Sequence, residues 1–270
     1  MASRNGLNPK IRSPKGVGHG RALPAPFGFG NGIFPDGVDD YLTVPGLIGK
    51  PIPDQFTVEF WVKYPDPIND LGGIFKLGTE GGQTITISRT SLPLDIQTTF
   101  ANVGAAKIHT LPTDTRKALI AYGVNMSTGD IFLYGNSALP IMDNKSIYTT
   151  LTGAAIENFE FFTSNLYTIG PSNVGMDEFK FYNTIITHDQ FLSNYNNGIG
   201  NNPFQTENLV AWYKFEKFES LDFSVLQDGS DMRTGIKDLS GHANHLQPFN
   251  MITDNESGSY VLKVFLGLYF

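Results

Sequence analysis

The feature that most constrains this chain is a run of alternating side chains at residues 56–64, FTVEFWVKY. Large apolar residues recur there at every second position, which is the period of a β-strand, because successive strand side chains point to opposite faces of a sheet. The apolar positions are Phe56, Val58, Phe60 and Val62, and the positions between them are Thr57, Glu59, Trp61 and Lys63. The pattern predicts a strand with one buried face.

Shorter runs rich in β-branched and aromatic residues follow, separated by Gly, Asn, Asp and Pro. They begin near residues 73, 84, 95, 118, 130, 158, 166 and 177, and they resume after residue 201. Regular short strands with turn signals between them are typical of a β-sandwich. The segment 126–130, MSTGD, predicts a hairpin turn in which Gly129 takes a positive φ. No fixed-period repeat is present, which argues against solenoids and propellers.

One helix is predicted at residues 187–198, THDQFLSNYNNG. Thr187 has the side chain of a helix N-cap, and Gly198 supplies the residue type that most often closes a helix.

Composition supports a folded, sheet-rich chain. The 270 residues can bury a sizeable core, and 21 Phe and 11 Tyr with only 17% charged residues favour sheet over disorder. The absence of cysteine excludes disulfides, a thiolate nucleophile and a Cys-based zinc site. The first 21 residues lack the apolar stretch of a secretory signal, and the longest apolar stretch, near residues 261–270, is too short for a membrane span, so we expect neither.

Charge is distributed unevenly along the chain. The first 35 residues contain no acid and five basic residues, Arg4, Lys10, Arg12, Lys15 and Arg21. The net charge of the chain is −7, so residues 36–270, with 14 basic and 26 acidic residues, carry −12. A basic arm on an acidic body predicts docking to an acidic partner, which we expect to be a protein subunit more than nucleic acid. A solvated tail is the alternative.

Four segments, taken in order, resemble the laminin-G-like, concanavalin-A-like jelly-roll family of lectins and glucanases. They are GVDDYLTVP at 37–45, FTVEFWVK at 56–63, GVNMSTGDIFLYGN at 123–136 and MDEFKFYNTIITHDQFLSNYNNG at 176–198. The resemblance implies an all-β fold: a two-sheet antiparallel jelly-roll sandwich with an extended N-terminal arm and one short helix. It also implies carbohydrate binding, often beside a structural Ca²⁺.

The order of the segments departs from this family in one respect. Residues 209–219, LVAWYKFEKFE, and 238–247, DLSGHANHLQ, resemble the stretch that usually precedes the first of the four segments. The chain therefore resembles a circularly permuted member. We expect an arm at 1–30, a laminin-G-like jelly roll at 31–200, and strands at 201–270 that complete the same sandwich or are swapped with a neighbour.

Candidate site residues follow from the resemblance and from the aromatic content. Asp177, Asp238 and Asn244 match the positions that would hold Ca²⁺, whose preferred ligands are oxygen atoms. Turn and cap hydrogen bonds are the alternative role for these residues. Tyr134, Trp212 and Tyr213 are the candidates for stacking on sugar rings, with core packing as their alternative.

Catalytic patterns are missing from the sequence. Glycosidases need two converging carboxyl groups, whereas Glu157 and Glu160 are spaced to point to opposite faces of a strand. His242 and His245 are close enough to share a metal, but they lie in a turn-rich segment that favours a polar loop. There is no nucleophile elbow, phosphate-binding loop or dinucleotide fingerprint. We expect a protein that is not an enzyme and needs no organic cofactor.

These observations favour a structural or interaction protein of a larger assembly. The leading hypothesis is a virion component, such as a capsid decoration, fibre or tail-associated phage subunit, that displays a lectin-like jelly roll for attachment to host glycans. Its expected partners are other copies or other capsid or tail subunits. The alternative is a free carbohydrate-binding module or adhesin, extracellular or on the cell surface. A polysaccharide-degrading enzyme is the third reading.

Overall fold

The structure, a computed structural model, describes residues 32–33, 35, 40–63, 73–89, 95–101, 105–110, 117–136, 139–144, 146–163, 175–196, 200, 202–224 and 232–249. The predicted arm, with Arg4, Lys10, Arg12, Lys15 and Arg21, lies outside this part of the chain. So do the strand predicted near residue 166, Gly198 and the C-terminal residues 250–270.

Fifteen strands, one α-helix and two 3₁₀-helices are present in the described residues. The strands are β1 (Tyr41–Thr43), β2 (Gln55–Lys63), β3 (Gly73–Thr79), β4 (Thr84–Arg89), β5 (Asp95–Ala101), β6 (Ala105–Thr110), β7 (Lys117–Asn125), β8 (Asp130–Gly135), β9 (Ile141–Asn144), β10 (Ile156–Phe161), β11 (Gly175–Tyr182), β12 (Leu209–Tyr213), β13 (Glu219–Asp222), β14 (Met232–Gly235) and β15 (Gln247–Phe249). The helix is α1 (His188–Tyr195), and the 3₁₀-helices are Pro45–Leu47 and Ser146–Leu151.

The strands form two large antiparallel sheets and a small ribbon. One sheet has seven strands in the order β15, β1, β10, β3, β4, β5, β6, and the other has six in the order β12, β11, β2, β7, β8, β9. β13 and β14 form the two-stranded ribbon. This arrangement confirms the predicted two-sheet jelly-roll sandwich. No helix in the described residues is long and apolar enough to cross a membrane.

The main core lies between the two sheets and is rich in phenylalanine. Phe179 on β11 packs edge to face against Phe161 on β10, with ring centroids 4.7 Å apart, and Phe60 on β2 stacks on Phe179 at 6.0 Å. The alternating apolar positions of β2 belong to this core, as the sequence predicts. Aromatic pairs of this kind stabilise a core beyond the apolar area that they bury.

The second face of β2 is also buried, which corrects the prediction of one buried face. Every residue from Phe56 to Val62 is buried, including Glu59. The reason is α1, which packs on the outer face of the six-stranded sheet over a second apolar cluster that contains Trp61, Leu119, Tyr134 and Phe191.

The helix begins as predicted and ends earlier. Thr187 forms a capping box with Gln190, because each side chain bonds the backbone N–H of the other residue. The helix closes at Asn196, which adopts the left-handed conformation at φ 43°, and not at Gly198. The predicted hairpin joins β7 to β8, with Gly129 at φ 77°.

Strands from the C-terminal segment lie in both sheets. β12 pairs with β11 at one edge of the six-stranded sheet, and β15 pairs with β1 at one edge of the seven-stranded sheet. β12 and β15 therefore belong to the sandwich.

Candidate functional site

The outer face of the seven-stranded sheet carries polar side chains between core residues. On β3, Lys76 lies between the core residues Phe75 and Leu77, and on β10, Glu160 lies between Phe159 and Phe161. Because strand side chains alternate, the residues between core positions share the outer face. We call this surface the open face and define it by Tyr41, Thr43, Lys76, Asn158, Glu160, Gln247 and Phe249.

Strand register aligns four of these side chains in a row across the open face. Gln247 pairs with Thr43, Thr43 with Glu160, and Glu160 with Lys76. The Lys76 Nζ donates to Glu160 Oε2 at 3.1 Å, and the two side chains remain 24% and 17% exposed. Gln247 Oε1 accepts from the guanidinium of Arg233 at 3.0 Å. The row thus offers both donors and acceptors to a ligand.

An aromatic pair flanks this row. Tyr41 and Phe249 are cross-strand partners, and their rings stack with centroids 4.7 Å apart and planes within 4°. Both side chains are half-buried. Neither residue is among the predicted site residues, although the alternation of Tyr41, Leu42 and Thr43 around a buried leucine is a sequence signal for the first.

Trp212, one of the three predicted sugar-stacking residues, lies on β12 at the edge of the other sheet. Its indole N–H donates to Glu178 Oε2 at 2.8 Å, and the Lys214 ammonium lies 4.9 Å from its ring centroid. The side chain is half-buried against the cluster beneath α1. Trp212 is therefore not fully enclosed, and it stays a candidate for ligand contact.

The other two predicted stacking residues are core residues, which corrects the expectation that they are exposed. Tyr134 is 4% exposed, stacks on Phe191 at 5.2 Å and donates its hydroxyl to the carbonyl of Ile186. Tyr213 is fully buried, stacks on Phe179 and donates to the carbonyl of Asn244. Neither ring presents a face to solvent, because cross-strand and helix neighbours cover both.

Asp238 and Asn244 lie in one turn, and protein groups occupy their oxygens. Asp238 accepts the backbone N–H groups of Trp212, Ser240 and Asn244 and the Ser240 hydroxyl, at 2.8–3.0 Å. Asn244 Oδ1 accepts from Lys50 Nζ at 3.3 Å. These hydrogen bonds give Asp238 and Asn244 the structural role of turn residues, which is the alternative stated for them above. His245 Nδ1 also accepts a bond within this turn, from the N–H of Asp238.

Asp177 lies elsewhere, on β11, and is nearly inaccessible. Its side chain is 1% exposed, and its Oδ2 has no hydrogen-bond partner. Burial, reinforced by the neighbouring Glu178 carboxylate, raises the pKa of Asp177 to about 9. Burial also raises the pKa of Glu178, which occupies a β-bulge at φ 51°.

The three predicted calcium ligands do not form a set in this structure. The described residues contain no group of three or more His, Cys, Asp or Glu side chains that could hold a metal ion. Both oxygens of the Asp238 carboxylate already accept hydrogen bonds from protein donors. The residues present therefore do not fit a Ca²⁺ that is held by Asp177, Asp238 and Asn244 together.

The covered face, which we define as the outer face of the six-stranded sheet beneath α1, contains a buried ion pair. Lys180 Nζ and Glu59 Oε1 are 2.8 Å apart, and both side chains are fully buried. The Asn194 amide on α1 donates to both Glu59 oxygens, and its own oxygen accepts the N–H of Phe204. This network attaches the helix and the following segment to the sheet.

Comparison with known proteins identifies the fold. No protein-family model matches the chain, and no curated protein matches it. Among solved structures, a candidate carbohydrate-binding protein from Bacteroides ovatus superposes with a TM-score of 0.55 and 19% identity, over 82% of this chain. The match covers 58% of that protein.

Two further structures are similar at lower scores. A heptameric pentraxin from Limulus polyphemus has a TM-score of 0.47, with 12% identity over 78% of this chain and 95% of the pentraxin. Tailspike protein 2 from a bacteriophage of Escherichia coli O157:H7 has a TM-score of 0.49, with 14% identity over 68% of this chain and 26% of the tailspike. At these identities the similarity concerns the fold alone, and the Bacteroides ovatus structure supports the jelly-roll sandwich that the sequence predicts.

Proposed function

We propose that this protein is a non-catalytic binding protein that holds a glycan on the open face. The observation that carries the proposal is the polar row across β15, β1, β10 and β3 with the Tyr41–Phe249 ring pair beside it. The likeness to the candidate carbohydrate-binding protein from Bacteroides ovatus supports it at the level of fold.

The open face suits a ligand rich in hydroxyl groups. A sugar presents hydroxyls that donate and accept, and apolar C–H faces that pack on aromatic rings. Gln247, Thr43 and Glu160 supply acceptors or donors in one row, and the ring pair supplies apolar surface. Lys76 and Glu160 neutralise each other, so the centre of the surface favours neutral sugar units.

A glycan array tests this proposal directly. The wild-type protein is expected to bind a subset of neutral glycans, and Tyr41→Ala and Phe249→Ala are each expected to lose most of that binding. Phe204→Ala is the matched control, because Phe204 is an aromatic residue that is 57% exposed next to the covered face. An array without signal, or equal loss in all three variants, would contradict the proposal.

We propose further that the bound glycan is not cleaved. Glu160, which is the acid on the open face, is paired with Lys76, and Glu59 is paired with Lys180 inside the protein. Release of reducing ends from a bound oligosaccharide, abolished by Glu160→Gln or Glu157→Gln, would show that the protein is an enzyme.

The second part of the proposal concerns where the protein acts. The basic charge of residues 1–35 against an acidic body supports a subunit that docks to an assembly, a virion in the leading hypothesis. Deletion of residues 1–30 is expected to abolish incorporation into the particle and to leave glycan binding intact. Normal incorporation of the deleted protein would favour the free carbohydrate-binding module instead.

We also propose that the order of the C-terminal strands reflects circular permutation within one chain. The pairing of β12 with β11 and of β15 with β1 supports this reading. A protein that stays folded and monomeric on dilution agrees with it, whereas unfolding on dissociation would indicate exchange between subunits.

A further inference from the structure

The edge strand β9 presents apolar side chains to solvent. In the described part of the chain it ends the six-stranded sheet. Three of the seven exposed large apolar side chains of the described residues lie within four positions here: Leu139 at 81%, Ile141 at 40% and Met142 at 65%. A sheet edge with apolar side chains is a template for a further strand, because its outward backbone groups can pair.

The register of β9 shows what a further strand would contact. Ile141 pairs with Leu133, which belongs to the core between the sheets. Met142 pairs with Phe132, which packs against the cluster beneath α1. A strand added beside β9 would therefore lie next to apolar residues on both of its faces, and a matching sequence should be apolar at consecutive positions and not only at alternate ones.

The C-terminal segment of this chain has that composition. Nine of the twelve residues 259–270, SYVLKVFLGLYF, are apolar, and they occur in three consecutive triplets. Continuous apolar runs rich in Val, Leu and aromatic residues are typical of strands buried on both faces. The segment contains one charge, Lys263, and no acid.

The distance from the last described strand favours a second copy as the partner. Tyr213 on β12 bonds Asn244, which shortly precedes β15, so β15 lies on the β12 side of the sandwich and β9 on the opposite side. A strand added beyond β9 lies six strand spacings, or about 29 Å, from the β12 side, and in the other sheet, which is about 10 Å away. The linker 250–258 spans about 30 Å when extended, and the direct line through the core already requires that length, so the linker is too short to pass around the sandwich of its own chain.

We propose that residues 259–270 pair as an additional strand with β9 and cover Leu139, Ile141 and Met142. The segment then completes the edge of the six-stranded sheet of a second copy.

Disulfide cross-linking tests this pairing without interference from native thiols, because the sequence contains no cysteine. Met142→Cys combined with Val261→Cys, Val264→Cys or Leu268→Cys is expected to form a disulfide under mild oxidation for at least one of the three pairs. Ser220→Cys with the same partners is the control, because Ser220 is exposed on β13 in the separate ribbon. A cross-linked band at dimer size is the expected result, and a cross-linked band at monomer size alone would overturn the assignment to a second copy.

Two results would overturn the pairing. One is cross-linking no stronger than that of the Ser220→Cys control at every position. The other is a disulfide-linked dimer from Met142→Cys alone at full yield, which would show that β9 pairs with β9 of a second copy.

A peptide experiment tests the same contact independently. A chain that lacks residues 259–270 is expected to gain thermal stability when the peptide of residues 257–270 is added, and to gain none from a peptide with Val264→Asp and Leu266→Asp. Equal effects of the two peptides would contradict the proposal. If the truncated chain does not fold, the cross-linking of the full chain decides alone.

Discussion

The outer faces of the two sheets differ in how far their charged side chains are exposed to solvent. The covered face lies beneath α1, and its Glu59–Lys180 ion pair is fully buried. The open face also contains a Lys–Glu pair, Lys76 with Glu160 at a similar distance, but both side chains keep contact with solvent. The same pair of charges thus serves as an internal attachment on one sheet and as an accessible polar surface on the other.

This difference indicates where a ligand can bind. A buried ion pair is expensive to break, because removal of one partner leaves the other charge without solvent or counter-ion. An accessible pair contributes little to stability and can exchange its partner for a ligand. The covered face therefore maintains the fold, and the open face is available for recognition.

The largest effect is expected when the buried pair is broken. Glu59→Ala should lower the free energy of unfolding by about 3–5 kcal/mol, since it leaves the Lys180 ammonium buried and unpaired. Urea denaturation measures the change. The double variant Glu59→Met with Lys180→Met should recover much of the loss, and a double variant as unstable as Glu59→Ala would show that charge is not the cause.

The buried carboxyl of Asp177 should make stability depend on pH. Its pKa is about 9 in the folded protein and near 3.8 in the unfolded chain, so the folded protein binds the proton more tightly. The free energy of unfolding should therefore fall as the pH rises from about 4 to about 9.

Asp177→Asn should remove this slope. The wild type should lose on the order of 3 kcal/mol of its free energy of unfolding between pH 4.5 and pH 7, and the variant should not. Asp54→Asn, the same change at an exposed residue, is the control and should leave the slope unchanged. A wild-type slope retained in Asp177→Asn would assign it to another group.

Removal of the helix cap should have a smaller effect on the covered face. Thr187→Ala deletes the hydroxyl that accepts the Gln190 N–H, which should cost about 1 kcal/mol. Thr187→Ser, which keeps the acceptor, should be close to the wild type. Equal loss in both variants would mean that the methyl group, and not the cap, carries the effect.

The smallest effect on stability is expected on the open face. Glu160→Ala should change the free energy of unfolding by less than about 1 kcal/mol, because the pair with Lys76 is partly solvated. Denaturation under the conditions used for Glu59→Ala gives the direct comparison. A loss as large as that of Glu59→Ala would remove the distinction between the two faces.

The sequence predicts the sandwich well because its signals are local. Alternation marks β2, the turn at Gly129 marks the β7–β8 hairpin, and Thr187 marks the start of α1. Each of these features depends on residues that are close together in the sequence, so periodicity, turn residues and cap residues suffice to predict them.

Partners distant in sequence account for what the sequence does not predict. Glu59 has the position of a solvent-facing residue, yet its partner Lys180 lies 121 residues away. Tyr134 is a predicted sugar-stacking residue, but Phe191 of α1 covers its ring, and Phe191 lies 57 positions further along the sequence. The Tyr41–Phe249 pair joins the two ends of the described sandwich, which no local pattern reveals.

The most direct test of the central claim is amide hydrogen exchange with and without a glycan identified on the array. If the open face is the binding surface, the glycan should slow exchange in β1, β10 and β15 and leave α1 and β12 unchanged. Protection confined to α1 and β12, around Trp212, would contradict this account of the two faces.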